Sequence, residues 1–256
     1  MGTHPSTDPL LSFLNRGVLP FVGRDREVGA IMQFWEGTVQ ADGLRLALLI
    51  GEAGQGKSRL IEEIAARIAA RAGIVAHVKV YPESTTSLIA LLSRSLAVAP
   101  STSAILRSDP EPNLPSVADA LRRLSRLRPM MLAVEDVHLL AGSSLAEFAQ
   151  LLDALADETF PILCAARPVD MGARGVMERW LHTEITLHGL DGAAVRQMWH
   201  TLFQQEIEVP SMQALQGATS GNPLAVRSAL RGAMIRACCS AASPSLLRPW
   251  RNRTQP

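Results

Sequence analysis

The chain has 256 residues, with 25 basic against 24 acidic side chains, so composition makes no general electrostatic case for nucleic acid or a membrane surface. No apolar run approaches the length of a membrane span and the N-terminus has no signal-peptide core, so a soluble cytoplasmic protein of one large or two small domains is expected. Cys164, Cys238 and Cys239 form no spaced pairs, and no two histidines stand at metal-ligand spacing with a suitable partner, which argues against a disulfide framework or a structural metal.

Residues 1–20 have little periodicity and read as a mobile arm, although Met1-Gly2-Thr3-His4-Pro5-Ser6 also fits the loose N-myristoylation pattern. From Phe21-Val22-Gly23-Arg24 the chain enters a helix striped by Val28, Ile31, Met32 and Trp35, with Asp25 and Glu27 in its first turn, where the helix dipole favours acids. After a turn at Asp42-Gly43, the apolar run Leu44–Ile50 has the character of a parallel strand covered on both faces.

Gly51-Glu52-Ala53-Gly54-Gln55-Gly56-Lys57-Ser58 follows directly and satisfies every fixed position of G-x-x-x-x-G-K-[ST]. The glycines let successive backbone N–H groups curl around phosphate oxygens, and the helix that starts behind them adds its partial positive charge. That helix is marked by Leu60, Ile61, Ile64 and Ile68 and stops at Gly73. Lys57 is placed to reach the β and γ phosphates and the Ser58 hydroxyl to ligate Mg²⁺. Lys57 and Lys79 are the only lysines, arginine filling almost every other basic position.

A second strand, Ile74–Tyr81, ends at Pro82, and its alternating His77 and Lys79 suit the solvated side of an edge strand. Leu88, Leu91, Leu92 and Leu96 mark a helix, the proline-containing stretch Ser101–Pro115 a long loop, and Ser116 with Asp119 the start of a helix carrying Val117, Leu121 and Leu124. Met130–Val134 form a buried strand that ends in Glu135-Asp136, two carboxylates where open α/β sheets bind ligands. An NTPase needs such acids to support Mg²⁺ and to orient the attacking water. Ser144 with Glu147 reads as a capping box for a helix through Leu155. Pro161–Ala166 make a fourth strand that delivers Arg167 to the same sheet edge, either to sense a γ-phosphate or to pair with a carboxylate. Glu184–Leu187 suggest a short fifth strand, Asp191 caps a helix through Leu202, and a small helical region starts near Ser211. There Asn222 is a good N-cap, Pro223 a good first helical residue, and the helix should reach about Arg236. No acid occurs from Val209 onward, and the last residues read as a basic, solvated tail.

Four stretches in this order resemble the STAND-type AAA-like ATPases of LuxR/MalT-like regulators and adenylate-cyclase-associated modules. They are Phe21-Val22-Gly23-Arg24, the phosphate loop, Leu132-Ala133-Val134-Glu135-Asp136-Val137-His138 and Gly221-Asn222-Pro223, with Arg167-Pro168 also fitting. The Orc1-type AAA domains share them. The resemblance implies an α/β P-loop NTPase sandwich of three layers, a parallel sheet ordered 5-1-4-3-2 and a small, partial helical lid. It implies ATP as nucleotide, the backbone of Val22, Gly23 and Arg24 by the adenine, Pro223 on the base or ribose, and Arg167 as a γ-phosphate sensor. No guanine-reading Asn-Lys-x-Asp pattern occurs.

The expected division is an arm at 1–20, the ATPase domain at 21–205, the lid at 206–236 and a tail at 237–256. The expected site comprises Gly51, Glu52, Ala53, Gly54, Gln55, Gly56, Lys57 and Ser58 around the phosphates, Ser58 and Glu135 at Mg²⁺, and Asp136 on the water. Glu135-Asp136 departs from the more usual order of Asp then Glu, and the usual His-Trp-Ala-Asp after the acids is His138-Leu139-Leu140-Ala141. The inverted acids argue for slow hydrolysis. Because the resembled proteins continue into further domains, a module acting alone or a shortened gene product is expected, with a protein partner or self-association rather than DNA. Two other readings are a nucleotide-binding interaction module that no longer hydrolyses and an initiator-like, DNA-associated ATPase.

Overall fold

The computed structural model describes residues 8–41, 43–81, 87–97, 113–168 and 172–239. The myristoylation pattern, Asp42, Pro82, most of the loop at 101–115 and the end of the tail lie outside the described residues. The chain forms two compact units, one of Arg26–Ala53 with Lys57–Leu187, the other of Met1–Asp25, Gly54–Gly56 and His188–Pro256.

The larger unit is built on five parallel strands, β1 (Leu44–Gly51), β2 (Ile74–Lys79), β3 (Met130–Glu135), β4 (Phe160–Ala166) and β5 (Leu181–Leu187). Their order, β2-β3-β4-β1-β5, is the expected 5-1-4-3-2 read from the other edge. Every residue of β3 and β4 is buried, as central parallel strands must be when both sheet faces are covered. Alternation divides them. Leu46, Leu48, Val78, Leu132, Val134, Phe160 and Ile162 join a core with the apolar stripes of α4 (Leu88–Ala97), α5 (Leu114–Leu127) and α6 (Gly142–Ala154). The intervening Ala47, Leu49, Met131, Ala133, Leu163 and Ala165 are also fully buried. So are Ile31 of α2 (Asp25–Val39) and Leu60, Ile61, Ile64 and Ile68 of α3 (Lys57–Ala70). Helices α7 (Gly172–Met177) and a 3₁₀ turn at Glu178–Trp180 lead into β5.

Two helix starts differ from their sequence reading. Helix α5 begins at an Asn113 N-cap, with Ser116 as the third helical residue completing a capping box, because Asn113 supplies the side-chain acceptor. In α6 the Ser144 hydroxyl closes on the Ala141 backbone, while the Glu147 carboxylate accepts from Ser87 Oγ at 2.8 Å and from the Ile89 N–H at 3.3 Å. Glu147 therefore caps α4 rather than its own helix. Strand β5 begins at Leu181, three residues earlier than expected.

The smaller unit corrects the mobile arm. Helix α1 (Pro9–Arg16) is capped by Asp8, carries Pro at its start and ends on Gly17 in the left-handed conformation. Its Phe13 is fully buried in a second core with Val22, Leu190, Val195, Met198, Leu202, Val226 and Leu230. Val195, Met198 and Leu202 come from α8 (Gly192–Phe203) and Val226 and Leu230 from α10 (Pro223–Cys239), with α9 (Val209–Thr219) between them in sequence, while Val22 and Leu190 precede α2 and α8. Asp191 and Asn222 cap α8 and α10 as expected. The compact units part at Leu187/His188, so α8 belongs with the helical unit and not, as expected from a boundary at 205, with the sheet.

Candidate functional site

The phosphate loop leaves β1 at Gly51 and closes into α3 at Lys57. Gly54 and Gly56 take φ of +79° and +92°, conformations that side-chain-bearing residues rarely adopt, so these two glycines are what lets the loop turn. Lys57 is buried at the first turn of α3 and its ammonium donates to the carbonyl oxygens of Gly51 at 2.6 Å and Glu52 at 3.1 Å. Burial pushes its pKa below the usual lysine range against the opposing pull of Asp136, and the charge of Arg167 adds to the lowering. The ammonium closes on its own loop and is placed to transfer to an anion there.

At the end of β3, the Glu135 side chain is only 4% exposed and gathers three partners. Ser58 Oγ donates to Oε2 at 2.5 Å, His77 Nε2 lies 2.7 Å from Oε1, and Lys79 Nζ is 3.7 Å from Oε2. Burial by itself would raise the carboxyl's pKa, but the hydrogen bonds from His77 and Ser58, with the His77 and Lys79 charges, bring it below the usual glutamate value. Lys79 also lies 3.5 Å from Asp136 Oδ2. His77 and Lys79 stay solvated on an edge strand as expected, with side chains 40% and 41% exposed, and the structure adds their pairing with the acids. Parallel pairing sets His77 opposite Ala133 and Lys79 opposite Glu135, so period-two alternation sends both toward the acids.

Asp136 follows in the left-handed conformation, φ 58° and ψ 38°, which aspartate adopts more readily than most side-chain-bearing residues. It turns the chain into a 3₁₀ turn at Val137–Leu139. His138 Nδ1 accepts from the Arg167 backbone N–H at 3.4 Å, fastening the exits of β3 and β4 together. Burial lowers the His138 pKa despite the nearby Asp136, and the Arg167 and Lys57 charges add to the lowering. The Arg167 side chain is exposed and, among the described residues, pairs with no carboxylate.

In the smaller unit, Val22 is buried in the second core and Gly23 has φ +66°. A Cβ on Gly23 would overlap Ala194 Cβ. Arg24 is 6% exposed, and its guanidinium donates to the carbonyls of Gln55 at 3.2 Å and His188 at 2.6 Å. Pro223 starts α10 beside Gly56, and the Leu224 N–H donates to Gly54 O at 3.3 Å. The structure thus brings Lys57, Ser58, Glu135 and Asp136 together at one sheet edge, and Gly54, Gln55, Gly56, Arg24 and Pro223 together in the helical unit. Among the described residues, the Glu52 and Arg167 side chains form no hydrogen bond or ion pair there, although both charges act on Lys57.

The AAA ATPase domain family matches residues 20–164. The chain belongs to this family. It shares its fold with the Aeropyrum pernix ORC2 protein solved as ADPNP-ADP complexes, at 13% identity and TM-score 0.62, covering 89% of this chain and 67% of that one. Drosophila ORC bound to DNA aligns at 17% identity and TM-score 0.63, covering 94% and 64%. A STAND protein with a tetratricopeptide repeat sensor from Pyrococcus horikoshii aligns at 14% identity and TM-score 0.53, over 80% of this chain but 29% of that one. No curated protein matches the sequence.

The donors fit the magnesium ion such a domain implies. Ser58 Oγ and the Glu135 carboxylate are hard oxygens 2.5 Å apart, and Mg²⁺ is usually held by one or two carboxylates plus substrate phosphates and water. Among the described residues no three His, Cys, Asp or Glu side chains cluster to hold a metal without such help, and no helix is long and apolar enough to cross a membrane.

Proposed function

We propose that this AAA domain binds ATP with Mg²⁺, hydrolyses it slowly, and serves as a cytoplasmic nucleotide-controlled switch in signalling or transcriptional regulation. The observation that carries the reading is the 2.5 Å hydrogen bond from Ser58, the last residue of the phosphate loop, to Glu135 at the end of β3. It joins a phosphate cradle to an acid pair.

In this reading the loop from Gly51 to Ser58 holds the phosphates through its N–H groups, and Lys57 turns from the Gly51 and Glu52 carbonyls to the β and γ oxygens. Ser58 and Glu135 hold Mg²⁺, which when bound neutralises charge developing on the phosphate oxygens. Asp136 orients and deprotonates the attacking water, and Arg167, unpaired with any described carboxylate, reads the γ-phosphate. Val22, Gly23 and Pro223 serve the base and ribose, an assignment that rests on the family resemblance. Slow turnover is supported by the setting of the acids. His77 and Lys79 already engage Glu135, and Lys79 also faces Asp136, so a metal and a water compete with resident partners. As partner we propose another protein or a second copy of the domain, since a structural neighbour, at 14% identity, is the Escherichia coli HORMA:CdnC:Trip13 complex. The near-balanced charge gives no reason to extend DNA binding from the ORC structures to this chain.

ATP binding and phosphate release measured side by side on the wild type and Asp136→Ala test the reading. Binding should persist in both, with turnover about a hundredfold lower in the variant, the usual scale for losing a general base. Equal, background-level turnover in both would replace the switch ATPase with a non-hydrolysing nucleotide-binding module.

A further inference from the structure

We propose that Arg24 is a positioning residue for the phosphate loop, setting the direction of the Gly56 N–H through the backbone rather than contacting the base. The inference rests on the nucleotide-binding reading above.

Gln55 lies between two glycines with left-handed φ, so the backbone at the tip of the loop is not stiff by itself. The Leu224 N–H holds Gly54 O, and Arg24 holds the next carbonyl, that of Gln55. The buried guanidinium donates to Gln55 O at 3.2 Å and, with the same nitrogen, to His188 O at 2.6 Å, where the chain has just left β5. The Gln55 carbonyl and the Gly56 N–H belong to one planar trans peptide and point in opposite directions. Pulling the carbonyl toward Arg24 therefore aims the Gly56 N–H away from it, as a donor of the phosphate cradle.

The residue type suits the task. A guanidinium stays charged when buried and is rigid, so carbonyl acceptors satisfy it in one orientation; a lysine ammonium is a point charge on a flexible stem. Hydrogen bonds from a charged donor are also stronger than neutral ones. Both donors of Nη2 go to carbonyls 31 and 164 residues away in sequence, which commits that nitrogen to the backbone rather than to a base.

A base contact and a backbone clamp differ in what their loss does to a ligand that has no base. Binding of Mg·ATP, by calorimetry, and of Mg·tripolyphosphate, by displacement of a fluorescent ATP analogue, is measured on the full chain as wild type, Arg24→Ala and Arg24→Lys. Arg24→Ala should weaken both ligands by the same factor, roughly tenfold, as expected when one charge-assisted hydrogen bond no longer holds the donor. Arg24→Lys should fall between, and it carries the test should Arg24→Ala fail to fold. Amide exchange should rise in peptides covering Gly51–Ser58 and stay unchanged in those covering β3. Weakened ATP binding with unchanged tripolyphosphate binding would overturn the proposal in favour of a base contact, and unchanged binding of both would remove any role for Arg24. If the wild type failed to bind ATP, the functional reading itself would fall, a result distinct from either.

Discussion

Lys57→Ala is expected to weaken ATP binding by on the order of a hundredfold while leaving the fold intact. The ammonium is the one lysine charge at the loop, and truncating one member of a buried, hydrogen-bonded charge pair costs about 2–5 kcal/mol, of which 2.8 kcal/mol corresponds to a hundredfold. The absence of a matching stability loss follows from the same geometry. Without nucleotide the ammonium is satisfied by the carbonyls of Gly51 and Glu52, and burial already opposes its charge. Removing it relieves a desolvation cost as well as deleting two hydrogen bonds, so the change in unfolding free energy should stay within about 1 kcal/mol. Calorimetric titration with Mg·ATP and a thermal melt of the same preparation check both halves. Undiminished ATP affinity would contradict the assignment of the loop.

Gly23→Ala is expected to destabilise the helical unit strongly. The added methyl overlaps Ala194 Cβ and approaches Leu190, two residues of the second core, and it forces a side chain onto a backbone at φ +66°. Overpacking costs about 1–3 kcal/mol and the left-handed backbone another 1–2, so the sum, roughly 2–5 kcal/mol, is a large part of an ordinary folding free energy. A second substitution separates the parts. Adding Ala194→Gly removes the overlap but not the backbone strain, and itself costs up to about 1 kcal/mol of helix propensity. The double variant should therefore melt between Gly23→Ala and the wild type. A melting temperature unchanged by Gly23→Ala would mean that Gly23 does not pack on α8 in solution.

Much of the sheet was legible because burial on both faces writes itself as apolar runs. Leu44–Ile50, Met130–Val134 and Pro161–Ala166 became β1, β3 and β4 within a residue or two, and the phosphate loop stood between β1 and α3 as its motif requires. Strand β5 was shortened because Leu181, His182 and Thr183 are not buried, so apolarity showed only at its end. Helix α1 was missed although its punctuation was present. Asp8-Pro9 at one end and Gly17 at the other are good cap signals, but only Leu10 and Phe13 are buried along it, too few to show a period. The packing of α8 was hidden for a related reason: it has an ordinary amphipathic stripe, and nothing local says that its partners are Phe13 and Val226.

In the site, residues that belong to a contiguous motif were found, and residues that arrive by pairing were not. The face on which His77 and Lys79 lie follows from alternation, but that Lys79 pairs with Glu135 is a register between strands far apart in sequence. Arg24 was singled out, yet its partners are backbone carbonyls, which carry no residue signature at all. Arg167 lies directly after β4, at the sheet edge where Glu135 and Asp136 end β3. A search for charged residues on the strand next to β3, once the sheet order was in hand, would have recovered His77 and Lys79.

The central claim is that the loop from Gly51 to Ser58 and the acids Glu135 and Asp136 form one nucleotide and magnesium site. Titration of the wild-type chain with ATP in the presence of Mg²⁺, and again with the ion chelated, tests it most directly. The account predicts one-to-one binding that weakens markedly when Mg²⁺ is removed; no detectable binding under either condition would contradict it.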